Sequence, residues 1–155
     1  MVKADLHIHT TVSDGKYTPT ELVDLAIERN LTTIAITDHD SFEGYQEASV
    51  QANKRGGINV IVGMEISTSF QENEVHMLAY LFDHKNRALI DLMNQQKNAR
   101  LERAKRMVIK LQEMGHDITI EEVQERAGNG LIGRPHFAKL LMRKGIVATQ
   151  NEAFI

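Results

Sequence analysis

The sequence contains no cysteine, which excludes both a disulfide framework and thiolate chemistry. No stretch is apolar for long enough to span a bilayer, and the N-terminus lacks a charged segment followed by an apolar run. Acidic residues outnumber basic ones by only 21 to 18, too few to indicate general attraction to nucleic acid or acidic lipid. We therefore expect a soluble cytoplasmic protein with no membrane partner.

The remaining composition is that of one globular domain. At 155 residues, with 42% hydrophobic and 25% charged residues, the chain is long enough to bury a core of its own. No internal repeat or low-complexity tract interrupts it.

Short apolar strands alternate with helices in the first half of the chain. Thr18, Pro19 and Glu21 form a capping box that predicts a helix start, and Asn30 predicts its end. Apolar or β-branched runs predict strands at residues 4–9, 32–37, 58–62 and 75–82, with a turn at 71–73. This alternation predicts an α/β fold with a mainly parallel sheet, open or closed into a barrel, and an active site at the carboxyl ends of the strands.

The second half is predicted to be helical. Helices are expected at residues 86–114, 119–127 and 135–145. This divides the chain into residues 1–84, which carry the sheet, and residues 85–155, which form a helical insertion above the strand ends. Since only about four strands are present, against the eight of a standard barrel, we expect a fragment or a chain that associates with itself to complete the barrel.

Histidines and carboxylates collect at the predicted strand ends. His7 and His9 are two residues apart in a strand, so they point to the same face. The candidate metal ligands are His7, His9, Asp14, His39, Glu65 and His76. Taken singly, each can be an ordinary surface or core residue, and it is their shared edge that favours a metal site. Neutral imidazole with carboxylate suits zinc, manganese or iron, and this many ligands indicates at least two divalent ions.

A glycine-rich loop precedes the last predicted helix. Residues 128–133 match the G-x-G-x-x-G pattern, but a dinucleotide fold needs a strand before this loop, so we reject that function. The loop leads into Arg134 and a helix opening at Pro135, and both a helix N-terminus and an arginine favour phosphate. We therefore predict Arg134 and His136 as substrate-phosphate contacts, with a solvated arginine and a capping histidine as the alternative.

For several other polar residues the sequence is compatible with more than one role. Asp38 and Asp40 flank His39; either can orient a ligand imidazole or cap the next helix, with capping favoured for Asp40 or Ser41. His84 and His116 are predicted to be surface histidines. The long helix is basic, which indicates either a solvated face or a guide for an oligonucleotide backbone. Its basic residues are Lys97, Arg100, Arg103, Lys105, Arg106 and Lys110.

The ordered motifs resemble a known family. They are Asp5-Leu-His-Ile-His9, Ser13-Asp14-Gly15, Thr37-Asp-His-Asp40, Gly63-x-Glu65 and the later His76. In this order they look like the motifs of the polymerase and histidinol phosphatase (PHP) family. Gly133-Arg134-Pro135-His136 also resembles the stand-alone phosphoesterases of that family, which act on 3′,5′-nucleoside bisphosphates and RNA 5′ ends.

The resemblance implies the N-terminal portion of a distorted seven-stranded β/α barrel with a helical insertion and up to three metal ions. His7, His9 and Glu65 would share one ion, Asp14 and His39 would serve a second, and Glu65 would bridge to a third bound by His76. The family completes these sites with a histidine and an Asp-x-His motif in its C-terminal third. Those residues have no counterpart before Ile155, which implies that this chain alone can be inactive.

We expect a metal-dependent phosphoesterase that hydrolyses phosphomonoesters of nucleotides or short nucleic acids. No Ser-His-Asp arrangement or Walker-type loop can be read from the sequence, so the nucleophile is expected to be metal-activated water. The binding partner would be a phosphorylated small molecule, a nucleotide or a short oligonucleotide. Two alternatives stay open, namely a non-catalytic metal-stabilised module of the same family and a histidinol-phosphatase-like enzyme.

Overall fold

The computed structural model describes residues 3–71, 73–128 and 130–154. Its strands are β1 (Ala4–Ile8), β2 (Thr33–Ile36), β3 (Asn59–Phe70) and β4 (Asn73–Tyr80). Its helices are α1 (Pro19–Glu28), α2 (Glu43–Arg55), α3 (Arg87–Glu113), α4 (Ile120–Ala127) and α5 (Arg134–Arg143), followed by a 3₁₀ turn at Glu152–Phe154. Among these residues, no helix combines the length and the apolarity needed to cross a membrane.

The four strands form one curled sheet in sequence order. The first three strands are parallel and are connected by α1 and α2, whereas β4 runs antiparallel to β3. A short turn begins at Gln71, with φ of 47°, and too few residues separate β3 from β4 for a parallel crossover. Glu72, also predicted in this turn, lies outside the described residues. The Tyr80 hydroxyl on β4 donates to the Leu6 carbonyl on β1, 2.7 Å away, so the curled sheet brings its two edge strands within reach of one side chain.

Strand β3 is much longer than its apolar run predicts. The sequence indicates a strand at 58–62 that reaches Glu65 at its end, but β3 continues to Phe70. The prediction was wrong because the second half of this strand is polar and is held by antiparallel pairing with β4, from Gly63–Tyr80 to Phe70–Asn73. Glu65 therefore lies inside a strand, where its backbone is fixed on both sides.

Two hydrophobic cores and a connecting cluster hold the elements together. The first core lies between α1, α2 and the sheet and includes Val23, Ile34 and Ile36, which are fully buried. The second joins α3, α4 and α5 around Ile118 and Val123. The connecting cluster consists of Phe42, Val62, Met64 and Met93. The predicted division at residue 84 remains a prediction, although each half has a core of its own.

Most helix boundaries agree with the sequence signals. Capping boxes at Thr18 and Thr119 start α1 and α4, and Asn86 accepts a hydrogen bond from the backbone N–H of Leu89 at the start of α3. Gly115 follows α3 with φ of 87°, a conformation in which glycine carries no steric penalty.

The loop after β1 is anchored by the buried carboxylate of Asp38. Its oxygens accept hydrogen bonds from the Thr10 backbone N–H, the Thr10 hydroxyl and the Ser13 hydroxyl, each at 2.7 Å. Gly44 on α2 packs so closely that a Cβ there would lie 2.7 Å from Asp38 Oδ2. Asp38 therefore neither orients an imidazole nor caps a helix, contrary to both predicted roles, and instead fixes the loop that carries Asp14.

We expect Asp38→Ala to lower the free energy of unfolding by about 2 to 4 kcal/mol, because it leaves three buried donors without an acceptor. Asp24→Ala removes a half-buried carboxylate that accepts from Gln51 and Arg55 near the surface and should cost less than about 1 kcal/mol. Urea titrations of the two variants and the wild type measure the difference. Equal losses would contradict the anchoring role.

Candidate metal centre

Three imidazoles contact the carboxylate of Glu65. His7 Nε2 and His9 Nε2 lie 2.9 and 2.8 Å from the same oxygen, Oε2, and His76 Nδ1 lies 2.6 Å from Oε1. Burial acts to raise the pKa of the Glu65 carboxyl, but its contacts with the neighbouring imidazoles, first the hydrogen bond from His7, outweigh this effect. The pKa therefore lies below its usual value, and the carboxylate is ionised at neutral pH.

Backbone pairing sets Glu65 beside His39. The segment after β2 continues alongside β3 as an isolated parallel bridge between His39 and Glu65. The Glu65 N–H donates to the Asp38 carbonyl at 3.2 Å, and the Asp40 N–H donates to the Glu65 carbonyl at 2.9 Å. The histidine that follows β2 is thereby placed next to a residue inside β3, rather than next to a strand end.

His76 reaches Glu65 through the antiparallel register of β3 and β4. Glu65 pairs with Leu78, and Ser67 pairs with His76, so Glu65 and His76 are diagonal neighbours on one face of the sheet. The sequence placed His76 near the start of a strand but could not supply this pairing.

Asp14 joins the cluster from the loop after β1. Its Oδ1 lies 3.0 Å from His9 Nδ1, and its Oδ2 lies 3.9 Å from His39 Nε2. The hydrogen bond with His9 holds the pKa of the Asp14 carboxyl at about 2 and raises the pKa of His9. Gly15 permits the tight turn, because a Cβ there would lie 2.3 Å from the His9 carbonyl oxygen.

His39 lies between the other imidazoles with one nitrogen unused. Its ring centroid is 4.6 Å from that of His9 and 4.9 Å from that of His76. Among the described residues, its buried Nδ1 has no hydrogen-bond partner. Burial lowers the pKa of His39, so the ring is held in its neutral form, which has a lone pair to offer.

The six candidate ligands form three overlapping groups. These are His7, His9 and Glu65; His9, Asp14 and His39; and His39, Glu65 and His76, with the ligand atoms of each group within 4.8 Å of one another. Nitrogen and carboxylate oxygen in this proportion fit zinc, manganese or iron rather than calcium or magnesium. The unpartnered Nδ1 of His39 also fits, because a bound cation would satisfy it.

Asp40 links the cluster to α3 through a buried ion pair. The guanidinium of Arg100 contacts Asp40 Oδ2 and donates to the Ser67 hydroxyl at 2.7 Å, and the Ser67 N–H donates to Asp40 Oδ1 at 2.8 Å. Asp40 has φ of 48°, an uncommon backbone conformation, directly after His39. Capping by Asp40 was therefore a wrong prediction, while the Ser41 hydroxyl does accept from the Glu43 N–H at 3.2 Å. Sequence reasoning missed Arg100, which stood out only as one of several basic helix residues.

Arg134 lies at the rim of the cluster and His136 lies behind it. Arg134 pairs with Glu74 at 2.6 Å, and Glu74 Oε1 is 3.5 Å from His76 Nε2. A cavity of about 130 Å³ lies between Arg134 and the cluster, lined also by Asp14, His39, His76 and Arg100. His136 Nδ1 accepts from the Gly133 N–H at 3.0 Å, and burial lowers the pKa of this imidazole.

The remaining sequence features add no ligand to the cluster among the described residues. The glycine pattern connects α4 to α5. It therefore follows a helix and not a strand, which agrees with the rejection of a dinucleotide-binding loop. Asn129 of this pattern lies outside the described residues. His84 packs edge-on against Tyr45, with ring centroids 5.3 Å apart. Within the described ranges, neither His84 nor His116 belongs to a group that could hold a metal.

Family comparison agrees with this geometry. The family described as PHP domain matches residues 5–144. The chain belongs to the PHP family. The match includes all six candidate ligands and extends through most of the helical region.

Several PHP relatives align along nearly the whole chain. A 5′-3′ exoribonuclease of Haemophilus influenzae is 36% identical over 98% of this chain and 55% of its own length. A 3′,5′-nucleoside bisphosphate phosphatase of Chromobacterium violaceum is 35% identical over 99% of this chain and 54% of its own length. The chain thus spans about half the length of the curated relatives it matches.

Solved PHP-like structures have the same fold. A protein assigned as a metal-dependent phosphoesterase from Bifidobacterium adolescentis is 35% identical and superposes with a TM-score of 0.88, over 99% of this chain and 54% of its own. An amidohydrolase from Chromobacterium violaceum, solved with sulfate and no metal, gives the same TM-score at 34% identity over the same shares. The half-barrel with helices therefore has the PHP-type fold of those structures over the part that it covers, as the resemblance implied.

We expect the purified chain to retain divalent metal after dialysis and the Glu65→Gln variant to lose most of it. The amide keeps the size of the side chain but loses the charge shared by three imidazoles, so an affinity loss of about 10-fold to 100-fold is expected. Elemental analysis gives the metal content per chain. Glu47→Gln, which alters an exposed carboxylate on α2, is the matched control. Unchanged metal in Glu65→Gln would contradict the assignment of this carboxylate.

Proposed function

We propose that this chain carries the metal-binding part of a phosphoesterase that hydrolyses phosphomonoesters of nucleotides or short nucleic acids. The observation that carries the proposal is the convergence of four imidazoles and two carboxylates in three overlapping groups. Nucleotide phosphate is the proposed substrate class because the aligned PHP relatives are named as a 5′-3′ exoribonuclease and a 3′,5′-nucleoside bisphosphate phosphatase.

The ligand groups would hold two or three ions of manganese, zinc or iron. His7, His9 and Glu65 would share one ion, and Asp14 and His39 would serve a second. Glu65 and His76 would hold the third. His9, His39 and Glu65 each belong to two of the three groups, which supports neighbouring ions rather than separate sites.

Divalent ions in these groups would lower the pKa of a water molecule and neutralise the charge on the leaving oxygen of the substrate. Arg134 would bind two phosphate oxygens across the cavity at the rim, exchanging its present partner Glu74 for the substrate. His136 Nδ1 is already engaged by the Gly133 N–H, so a contact with the substrate would have to use Nε2. Asp14, ionised at neutral pH, would hold His9 in one orientation through their hydrogen bond.

The proposal also includes a cytoplasmic location and self-association. Absence of cysteine in the sequence is compatible with a reducing cytoplasm. Two copies of the chain would associate through their edge strands β1 and β4 and so extend the sheet.

In a full-length enzyme that contains this chain, we expect His9→Ala to reduce phosphate release by more than about 100-fold, because His9 belongs to two of the ligand groups. The assay measures inorganic phosphate from adenosine 3′,5′-bisphosphate, a 5′-phosphorylated oligoribonucleotide and histidinol phosphate, with Mn²⁺, Zn²⁺ or Fe²⁺. His116→Ala, which removes a histidine outside the cluster, is the matched control and should keep the wild-type rate.

The Chromobacterium violaceum bisphosphate phosphatase serves as a positive control for substrate and metal in this assay. Saturable release by the wild type that His9→Ala abolishes would support the phosphoesterase. Preference for histidinol phosphate would support the histidinol-phosphatase alternative. Metal binding by such a full-length enzyme without release from any substrate, while the positive control is active, would support a non-catalytic module and contradict the proposal.

A further inference from the structure

A groove extends from the metal centre along the outer half of β3. It has a volume of about 560 Å³ and lies between β3 and α3. One side carries Ser67, Thr68 and Ser69, and the other carries Arg100, Arg103 and Arg106. Arg100 and Glu74 line both this groove and the smaller cavity beside His39 and His76. The groove therefore lies next to the cavity at the candidate metal centre, with Arg100 and Glu74 between them.

The three arginines form a row that crosses the surface of α3 obliquely and lines the groove. They are spaced three residues apart, so each lies about 4.5 Å further along the helix axis than the one before. Side chains at this spacing are neighbours on the helix surface. Arg100 is at the end of the row next to the metal centre, and Arg106 is at the far end.

The charge of this row is only partly neutralised within the chain. Asp40 and Glu74 are the carboxylates in the groove, and they pair with Arg100 and Arg134. In the part of the chain that the structure describes, no carboxylate lies within salt-bridge distance of Arg103 or Arg106, and both side chains are exposed. Ser69 lines the opposite side of the same groove.

We propose that this groove, defined by Arg100, Arg103, Arg106 and residues 67–69, binds the phosphate backbone of a single-stranded oligonucleotide whose terminal phosphate lies at the metal centre. The position of that terminal phosphate rests on the proposed function; the groove itself rests on the arginine row. Guanidinium groups bind phosphate bidentately, and an open basic groove follows a backbone without requiring a base sequence. A mononucleotide at the metal centre would be too short to contact Arg103 and Arg106 together.

The test compares two double variants of the same helix. Arg103→Gln/Arg106→Gln removes the free charges of the groove. Lys105→Gln/Lys110→Gln removes the same number of charges at exposed positions of α3 that do not line the groove. Binding is measured by fluorescence anisotropy with a 5′-phosphorylated, phosphorothioate-linked oligouridylate of about ten nucleotides, a length that one binding groove covers. Mn²⁺ is present throughout, and the phosphorothioate linkage keeps the charge while resisting hydrolysis.

We expect the arginine variant to bind about 10-fold more weakly at low salt, and its plot of log affinity against log salt to be shallower by about 1.4, the value for two lost contacts to a single strand. The lysine variant should bind as the wild type does. Equal weakening in both variants, or none in the arginine variant, would overturn the proposal. Equally tight binding of an acidic peptide with the same dependence on the arginines would also overturn it, because the groove would then bind any polyanion.

Phosphate release from adenosine 3′,5′-bisphosphate separates this proposal from the proposed function. The arginine variant should release phosphate from this mononucleotide at the wild-type rate, while its rate on a 5′-phosphorylated oligoribonucleotide falls through a raised KM. Arginine-dependent oligonucleotide binding without hydrolysis of any substrate would support the groove and contradict the phosphoesterase. Hydrolysis of both substrates at rates that do not depend on the arginines would support the phosphoesterase and contradict the groove.

Discussion

The contact between the Glu65 carboxylate and three imidazoles is the constraint on which this structure depends. The imidazoles come from both edge strands of the sheet, with His7 and His9 at β1 and His76 on β4. A carboxylate inside β3 can meet all three only if the sheet curls, and the Tyr80–Leu6 hydrogen bond shows that the edges do approach each other. The curl of the half-barrel is thus what brings these side chains together at the candidate metal centre.

The register around His39 is maintained by two buried aspartates with different partners. Asp38 holds the loop that carries Asp14, and Asp40 holds β3 and α3 through Ser67 and Arg100. An ionised side chain left unpaired in such a position would cost about 3 to 5 kcal/mol. The chain therefore tolerates a carboxylate on either side of its central histidine because the loop and the long helix each supply donors to it.

Local signals predicted the parts of this protein that depend on neighbours in sequence. The capping boxes at Thr18 and Thr119 start helices where expected, and the spacing of His7 and His9 places both imidazoles on one carboxylate oxygen. The family motifs named the six candidate ligands that the structure brings together. The length of β3, the antiparallel β4 and the partners of the two aspartates were missed, since each is decided by a contact between residues far apart in the chain. Arg100, 60 residues from Asp40, left no local signal.

The basic character of α3 has two physical meanings that composition alone does not separate. Arg100 is mostly buried and forms an ion pair with Asp40. This ion pair joins the helical region to the candidate metal centre. Arg103 and Arg106 follow along α3 but stay exposed, where solvation keeps their charge available to a ligand. Arg103 is a surface neighbour of Arg100 on the helix, and Arg106 is in turn a neighbour of Arg103. All three line the same groove. The ion pair that positions α3 therefore also determines where its free charges can act.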